Sequence, residues 1–289
     1  MHPAPSIILF TTLSGLGFGM LAFLGFDGTP PVGWVGFVFF LIAFVLAAGG
    51  LLSSTFHLGH PERALKAFTQ WRSSWLSREA WAAVIALGLM GAYAFGLVIL
   101  GMHWAILGFL GGIMSLVTVF ATSMIYTQMR TVPRWNHWSP PILFLGYAIA
   151  GGALLTGRVT VALIALLVVS IVQIIAWFDQ ERREHSSETT PETATGLGHI
   201  GSVRAFESPH TGENYLTKEM VFRIGRKHAQ TLKIIALALI GPIPVLLLLL
   251  PFFHVMAAVA VLSHIAGVLV QRWLFFAEAR HVIGQYYGR

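Results

Sequence analysis

The residues able to do chemistry gather in one connector between two long apolar runs. It opens with His57, His60, Glu62 and Arg63 and closes with Trp71, Arg72, Trp75, Arg78 and Glu79. His57 ends one run and Glu79 begins the next, so both fall near one membrane face and can converge. A histidine titrates near neutral pH, and a carboxyl group held in an apolar pocket can exchange protons there as well. A quinone headgroup needs such a pair, because each of its two carbonyls gains a proton on reduction and gives it up on oxidation. Plainer readings stand beside this one. His57 could interact with a helix C-terminal dipole, and Glu79 could be a first-turn carboxylate behind Ser77 as a cap. Arg63, Arg72 and Arg78 could orient a headgroup, pair with Glu62 and Glu79, or anchor to lipid phosphate. Trp71, Trp75 and Trp81 fit an interfacial aromatic belt or the wall of a pocket equally well.

The elements that must position these residues are helices in a bilayer. The chain has 289 residues, 56% of them hydrophobic and only 10% charged; soluble domains carry about 25% charged residues. Eight apolar runs, many of the ~20 residues that cross a hydrocarbon core, are read at 5–25, 33–56, 79–101, 104–128, 140–156, 158–179, 230–250 and 252–275. The fold class is all-α: a polytopic membrane protein of eight transmembrane helices. Two four-helix halves are expected, 1–128 with the connector 57–78 and 129–289 with the long connector 180–229. There is no cysteine, which excludes disulfides, cysteine-ligated iron–sulfur clusters and covalent c-type haem. The start has no basic segment and no small-residue cleavage pattern, so the first run is expected to be an uncleaved span.

The connectors divide sharply by charge. With eight spans, both termini and the 57–78, 129–139 and 180–229 connectors share one side. That side holds Arg63, Lys66, Arg72, Arg78, Arg130, Arg134, the seven basic residues from Arg182 to Lys227, Lys233, and Arg272, Arg280 and Arg289; the other side holds Arg158. Under the positive-inside rule the basic side is cytoplasmic. The expectation is a multi-pass protein of the bacterial inner membrane with both termini in the cytoplasm. The basic excess reports topology and lipid contact, not nucleic-acid binding.

Elsewhere the polar signals are sparser. The fourth run carries Ser115, Thr118, Thr122 and Tyr126 on one face, with Ser123 and Gln128 beside them; such a stripe favours hydrogen bonds between helices over ligand contacts. His264 lies near the middle of the last run and is a functional candidate by depth: it could bond a neighbouring helix, relay protons or ligate haem. No second histidine reaches mid-membrane, which disfavours a b-type haem. The 180–229 connector is long enough to have a task. Its second part, with Arg204, Pro209, His210, Asn214, Tyr215 and Lys218, is either a docking surface or a solvated loop on the headgroups. A transporter is disfavoured, since the polar groups cluster at one face with few at the midplane.

Two separated stretches carry a family resemblance. His57-Leu-Gly-His-Pro-Glu-Arg-Ala followed by Ser74-Trp-Leu-Ser-Arg-Glu resembles the signature loop of the DMSO reductase anchor subunit family. Ser208-Pro-His-Thr-Gly-Glu-Asn-Tyr-Leu-Thr-Lys-Glu-Met with Arg226-Lys-His-Ala resembles a second stretch of its anchors. The resemblance implies an integral subunit without haem or metal of its own, which anchors an iron–sulfur electron-transfer subunit and a molybdopterin catalytic subunit. It would exchange electrons between the membrane quinone pool and the nearest cluster. It places the family's quinone-site histidine on His57 and its acidic residue on Glu79. The opening segment looks like the anchors of cytoplasmic sulfite dehydrogenases, and with the charge count this favours sulfite oxidation coupled to quinone reduction on the cytoplasmic side. Anchoring a sulfoxide reductase that oxidises menaquinol is the alternative, and a purely structural anchor a further one.

Overall fold

The computed structural model describes residues 2–57, 60–185, 190–207, 210, 212, 214–220, 228–251 and 253–287. The side chains of His57, Pro61, 184–185, Thr217, Glu219, Phe253 and Tyr287 lie outside that description. Among the described residues every regular element is helical. Helix α1 is Pro5–Phe26, α2 Gly33–Ser53, α3 Trp75–Val98, α4 Ala105–Thr127, α5 Ser139–Leu155 and α6 Val159–His185. A short α7, Pro191–Thr195, precedes α8 (Ala229–Ile240), α9 (Pro242–Leu249) and α10 (Phe253–Ala277). Seven stretches are long and apolar enough to span a membrane, the seventh in this count being α10 and the sixth α8 and α9 taken together, while α5 is a shorter apolar helix. The chain is a polytopic all-helical membrane protein. Large apolar side chains such as Trp34, Val45, Ile106, Ile171 and Leu262 stand exposed on the outer faces, as a surface solvated by lipid requires.

Helix α1 is the most enclosed span, and α2, α4 and α5 pack around it. Its glycines make this possible. A Cβ on Gly17 would collide with the backbone of Ala47 in α2, and one on Gly19 with the carbonyl of Ala148 in α5. Small residues let helices approach where no hydrophobic effect drives them together. One apolar cluster joins α1 to α4 with Trp135, Phe144, Phe275 and Phe276. A second is built from α5, α6, α8, α9 and α10.

Two boundaries differ most from the sequence expectation. Helix α3 begins at Trp75, with Ser74 extended at the N-cap position and no side-chain cap. Glu79 therefore lies in the second turn, and Ser77 is a buried helical residue rather than a cap. Helix α6 runs on to His185, past the apolar run, and Gln180 packs at its root: its Nε2 donates to Ser139 Oγ at 2.7 Å.

The apolar run 230–250 is broken at Gly241-Pro242. Pro242 and Pro244 have no N–H to donate, and Pro244 leaves the carbonyl of Ile240 without its i+4 donor. His264 on α10 supplies one, with Nδ1 2.8 Å from that oxygen, and Ser263 Oγ donates to the Leu239 carbonyl at 3.0 Å. Of the three roles open to His264 in the sequence, the structure shows the bond to a neighbouring helix. On the opposite face Arg158 pairs with Asp27, so the single basic residue there is neutralised.

Candidate functional site

The connector folds as 3-10 turns, Ser54–His57 and Pro61–Phe68, followed by a turn into α3. Its end is held by Arg78, whose Nε donates to the Trp71 carbonyl at 3.0 Å and whose Nη2 donates to the Arg72 carbonyl at 2.7 Å. The Arg78 guanidinium lies 4.4 Å from the Trp75 ring centre, and the Trp75 ring meets Phe120 of α4 edge-on. Trp81 donates its indole N–H to the Phe68 carbonyl at 3.0 Å and packs edge-on against the Phe68 ring. These contacts shape a groove of about 430 Å³ lined by Phe68, Trp71, Arg78, Trp81, Ile85 and Met114. That volume is in the range of small-molecule sites.

Glu79 stands on the adjacent face of α3, 3% exposed, turned into the bundle. Its Oε1 accepts a hydrogen bond of 2.5 Å from Thr122 Oγ1 of α4. Thr122 comes from the polar stripe read in the sequence. Its companions Ser115 and Thr118 bond the carbonyls of Gly111 and Met114 within their own helix, so Thr122 is the member seen to bond across helices. One turn further on, Tyr126 is enclosed by Trp135, Phe144, Phe275 and Phe276.

The structure brings Trp75, Arg78 and Arg72 together beside the groove, with Glu79 immediately behind it. It does not bring Arg63, which is exposed and lies 4.0 Å from Glu62 on the outer side of the connector. The backbone of His57 ends the turn that follows α2, on the same face, and its side chain lies outside the described residues. In the long connector Arg204, His210, Tyr215 and Lys218 are exposed and Asn214 is half-buried; Pro209 lies outside the described residues. Glu192 at the start of α7 accepts from the Val203 N–H at 2.9 Å, and Tyr286 donates to the Ala194 carbonyl at 3.2 Å. The α7 part of the connector thereby meets the turn Val282–Tyr287.

A buried ionic cluster and a partly exposed histidine–carboxylate pair on this face were not legible in the sequence. Glu278 binds Arg134 Nη2 and Lys233 Nζ, each at 2.9 Å, with all three side chains largely buried. His137 Nε2 lies 3.0 Å from Asp179 Oδ2, which also accepts from Trp138 Nε1 at 2.7 Å. Burial holds the His137 imidazole below its usual range, opposed in part by the Asp179 carboxylate. The sequence offered only isolated charges at span ends, and pairing across more than forty positions is decided by packing.

The geometry is that of a membrane subunit with a buried carboxyl group on the bundle side of a helix whose outer side lines an aromatic groove. The model of the DMSO reductase anchor subunit family matches residues 2–277, and the chain belongs to that family. The chain is also 33% identical to a sulfite dehydrogenase subunit of Allochromatium vinosum, over 99% of both chains. No solved structure matches it. The chain is thus an integral-membrane anchor subunit.

Proposed function

We propose that this chain is the quinone-reactive membrane anchor of a molybdopterin and iron–sulfur oxidoreductase. It exchanges electrons between the quinone pool and an iron–sulfur partner, in a complex that oxidises sulfite and reduces quinone on the cytoplasmic side. The observation that carries the reading is Glu79. Its carboxyl group is buried in the bundle, bonded by a neutral hydroxyl, and next in sequence to the arginine that forms one wall of an aromatic groove.

The groove suits a quinone: Phe68, Trp71 and Trp81 offer flat apolar surface, and Arg78 keeps N–H donors beyond the two used on the chain's own carbonyls. A bound quinone supplies a two-electron, two-proton carrier. Glu79 and His57 hold and pass its protons, Thr122 fixes the Glu79 rotamer, and the tryptophans exclude water. The family's name and that of the relative support an anchor of a multisubunit enzyme, and the relative's name supports sulfite as the substrate. The excess of Lys and Arg on the face of the connector supports a cytoplasmic orientation. In this reading the docking residues are Arg204, Pro209, His210, Asn214, Tyr215 and Lys218 of the long connector, which the charge count puts on the side of the quinone site, since electrons must hop from the last cluster to the quinone. Protons and electrons then enter from one side, and turnover moves no net charge across the membrane. The family's name supports as a second reading the anchor of a DMSO reductase, which would then oxidise menaquinol.

The test is purification in mild detergent through a tag on this subunit, with assay of quinone-analogue reduction by sulfite. A large molybdoprotein and an iron–sulfur protein co-purify, sulfite activity is present, and Glu79→Gln or His57→Phe abolishes it in an assembled complex. Quinol-dependent sulfoxide reduction by the same partners selects the second branch. Full activity in both variants leaves a purely structural anchor.

A further inference from the structure

The end of α6 carries two arginines for which the site described so far has no use. Because α6 stays helical past its apolar run, Arg182 and Arg183 stand a turn beyond Phe178, beside the start of α5. They line an open crevice of about 710 Å³ with Asn136, His137, Trp138 and Asp179. Its walls are tied to one another. Arg183 Nη2 donates to Asn136 Oδ1 at 3.4 Å, and Asn136 Nδ2 donates to the Thr127 carbonyl at 2.7 Å. Asp179 Oδ2 takes the bonds of His137 and Trp138. Arg182 is exposed and lies within the field of Asp179.

The charges of the crevice do not cancel. Two guanidinium groups stand against one carboxylate, and burial keeps the His137 imidazole below its usual range. At neutral pH the crevice is therefore net positive. Planar guanidinium forks match phosphate, whose oxygens accept two parallel N–H bonds from each.

The surroundings indicate what carries the phosphate. Phe178, Ile175 and Ile171 precede Arg182 at helical spacing, so the four share one stripe of α6, and all three apolar side chains are exposed. On α5, Trp138 and Ile142 one turn further in are exposed as well, with Trp138 at the level an interfacial tryptophan takes. A cationic crevice at the head of a lipid-facing apolar stripe fits an amphiphile with an anionic headgroup. A soluble anion would leave the stripe unused, and a protein partner would meet it only by entering the bilayer.

We propose that this crevice binds an anionic phospholipid of the phosphatidylglycerol type. The phosphate sits between Arg182 and Arg183, the headgroup hydroxyls donate to Asp179, and an acyl chain lies along Phe178, Ile175 and Ile171. The charge of this lipid offsets that of the crevice, which zwitterionic phosphatidylethanolamine does not. The binding is independent of the reading of the groove as a quinone site.

The test is native mass spectrometry of the subunit purified from membranes with the proteins that accompany it. The sample is washed free of loosely held lipid and mixed with equal amounts of phosphatidylglycerol and phosphatidylethanolamine. Phosphatidylglycerol is retained in preference. Arg182→Gln/Arg183→Gln lowers that retention by about 10-fold or more, the scale of losing hydrogen bonds to a charged group. Phe178→Ser lowers it too. Lys66→Gln/Arg130→Gln removes the same charge at exposed positions elsewhere on the basic side and leaves it unchanged, and excess inorganic phosphate does not displace the lipid. Equal retention of the two lipids, or an equal loss in Lys66→Gln/Arg130→Gln, overturns the proposal. Displacement by inorganic phosphate does so as well, since the crevice would then read phosphate without the acyl chain. If Arg182→Gln/Arg183→Gln sheds the accompanying proteins and keeps the lipid, the crevice is a protein contact and the proposal falls. Should the double variant fail to assemble, Arg182→Gln alone is measured against the same outcomes.

Discussion

Thr122 on α4 donates a 2.5 Å hydrogen bond to the Glu79 carboxyl group on α3, joining the two helices that form one side of the aromatic groove. Thr122→Val keeps the shape and removes the donor. A hydrogen bond to a charged group contributes about 1.5–3 kcal/mol, so quinone-coupled turnover is expected to fall by about 10-fold or more. Thr122→Ser keeps most of it. The measurement is steady-state quinone reduction by the assembled complex; equal rates in Thr122→Val and the natural protein would show that the bond only packs the helices.

His264 has a different expectation. Its bond to the Ile240 carbonyl replaces a donor that Pro244 lacks, so His264→Ala strands a buried acceptor. The cost is about 1–2 kcal/mol, towards the lower end if the bilayer follows other membrane cycles. The melting midpoint drops by a few degrees while turnover is retained. Loss of turnover at an unchanged midpoint would instead make His264 a proton carrier.

Glu278 closes the bundle by holding two cations, Arg134 and Lys233. Removing one member of a buried ion pair costs about 3–5 kcal/mol, because the partner keeps its desolvation penalty without compensation. Glu278→Gln is therefore expected to reduce the amount of folded subunit recovered from membranes several-fold, and Glu278→Asp to do so less. Recovery of Glu278→Gln at natural levels would contradict the arrangement.

His137 gives the fold a pH dependence. Burial holds its imidazole below the usual range despite Asp179. Below about pH 6.5 the unfolded chain takes up this proton more readily than the folded one. The contribution to stability is thus fully present above that value and is lost as pH falls towards the lower folded value. The melting midpoint should decline between pH 7.5 and 5.5, and His137→Gln should flatten that decline. An identical slope in the variant would assign the acid sensitivity to another group.

Composition and spacing alone established the class and the layout. Apolar runs of bilayer length can satisfy their backbone in hydrocarbon only as helices, so the spans, their order and nearly all their limits were readable without coordinates. Type and spacing also singled out the connector, because charged and aromatic residues are rare in such a chain. The exceptions are instructive: α3 begins four residues earlier than expected, α6 runs on to His185 instead of ending at 179, and the run 230–250 is broken, since neither the extended turn at Ser74, the Gln180–Ser139 bond nor the rescue of a proline break by His264 is a local property. Which polar residues meet was settled by packing. Thr122 and Arg134 looked like a packing stripe and a topology charge. A hydroxyl or guanidinium takes its meaning from what is buried against it, and that depends on how α1 lets α4, α5 and α10 converge around it.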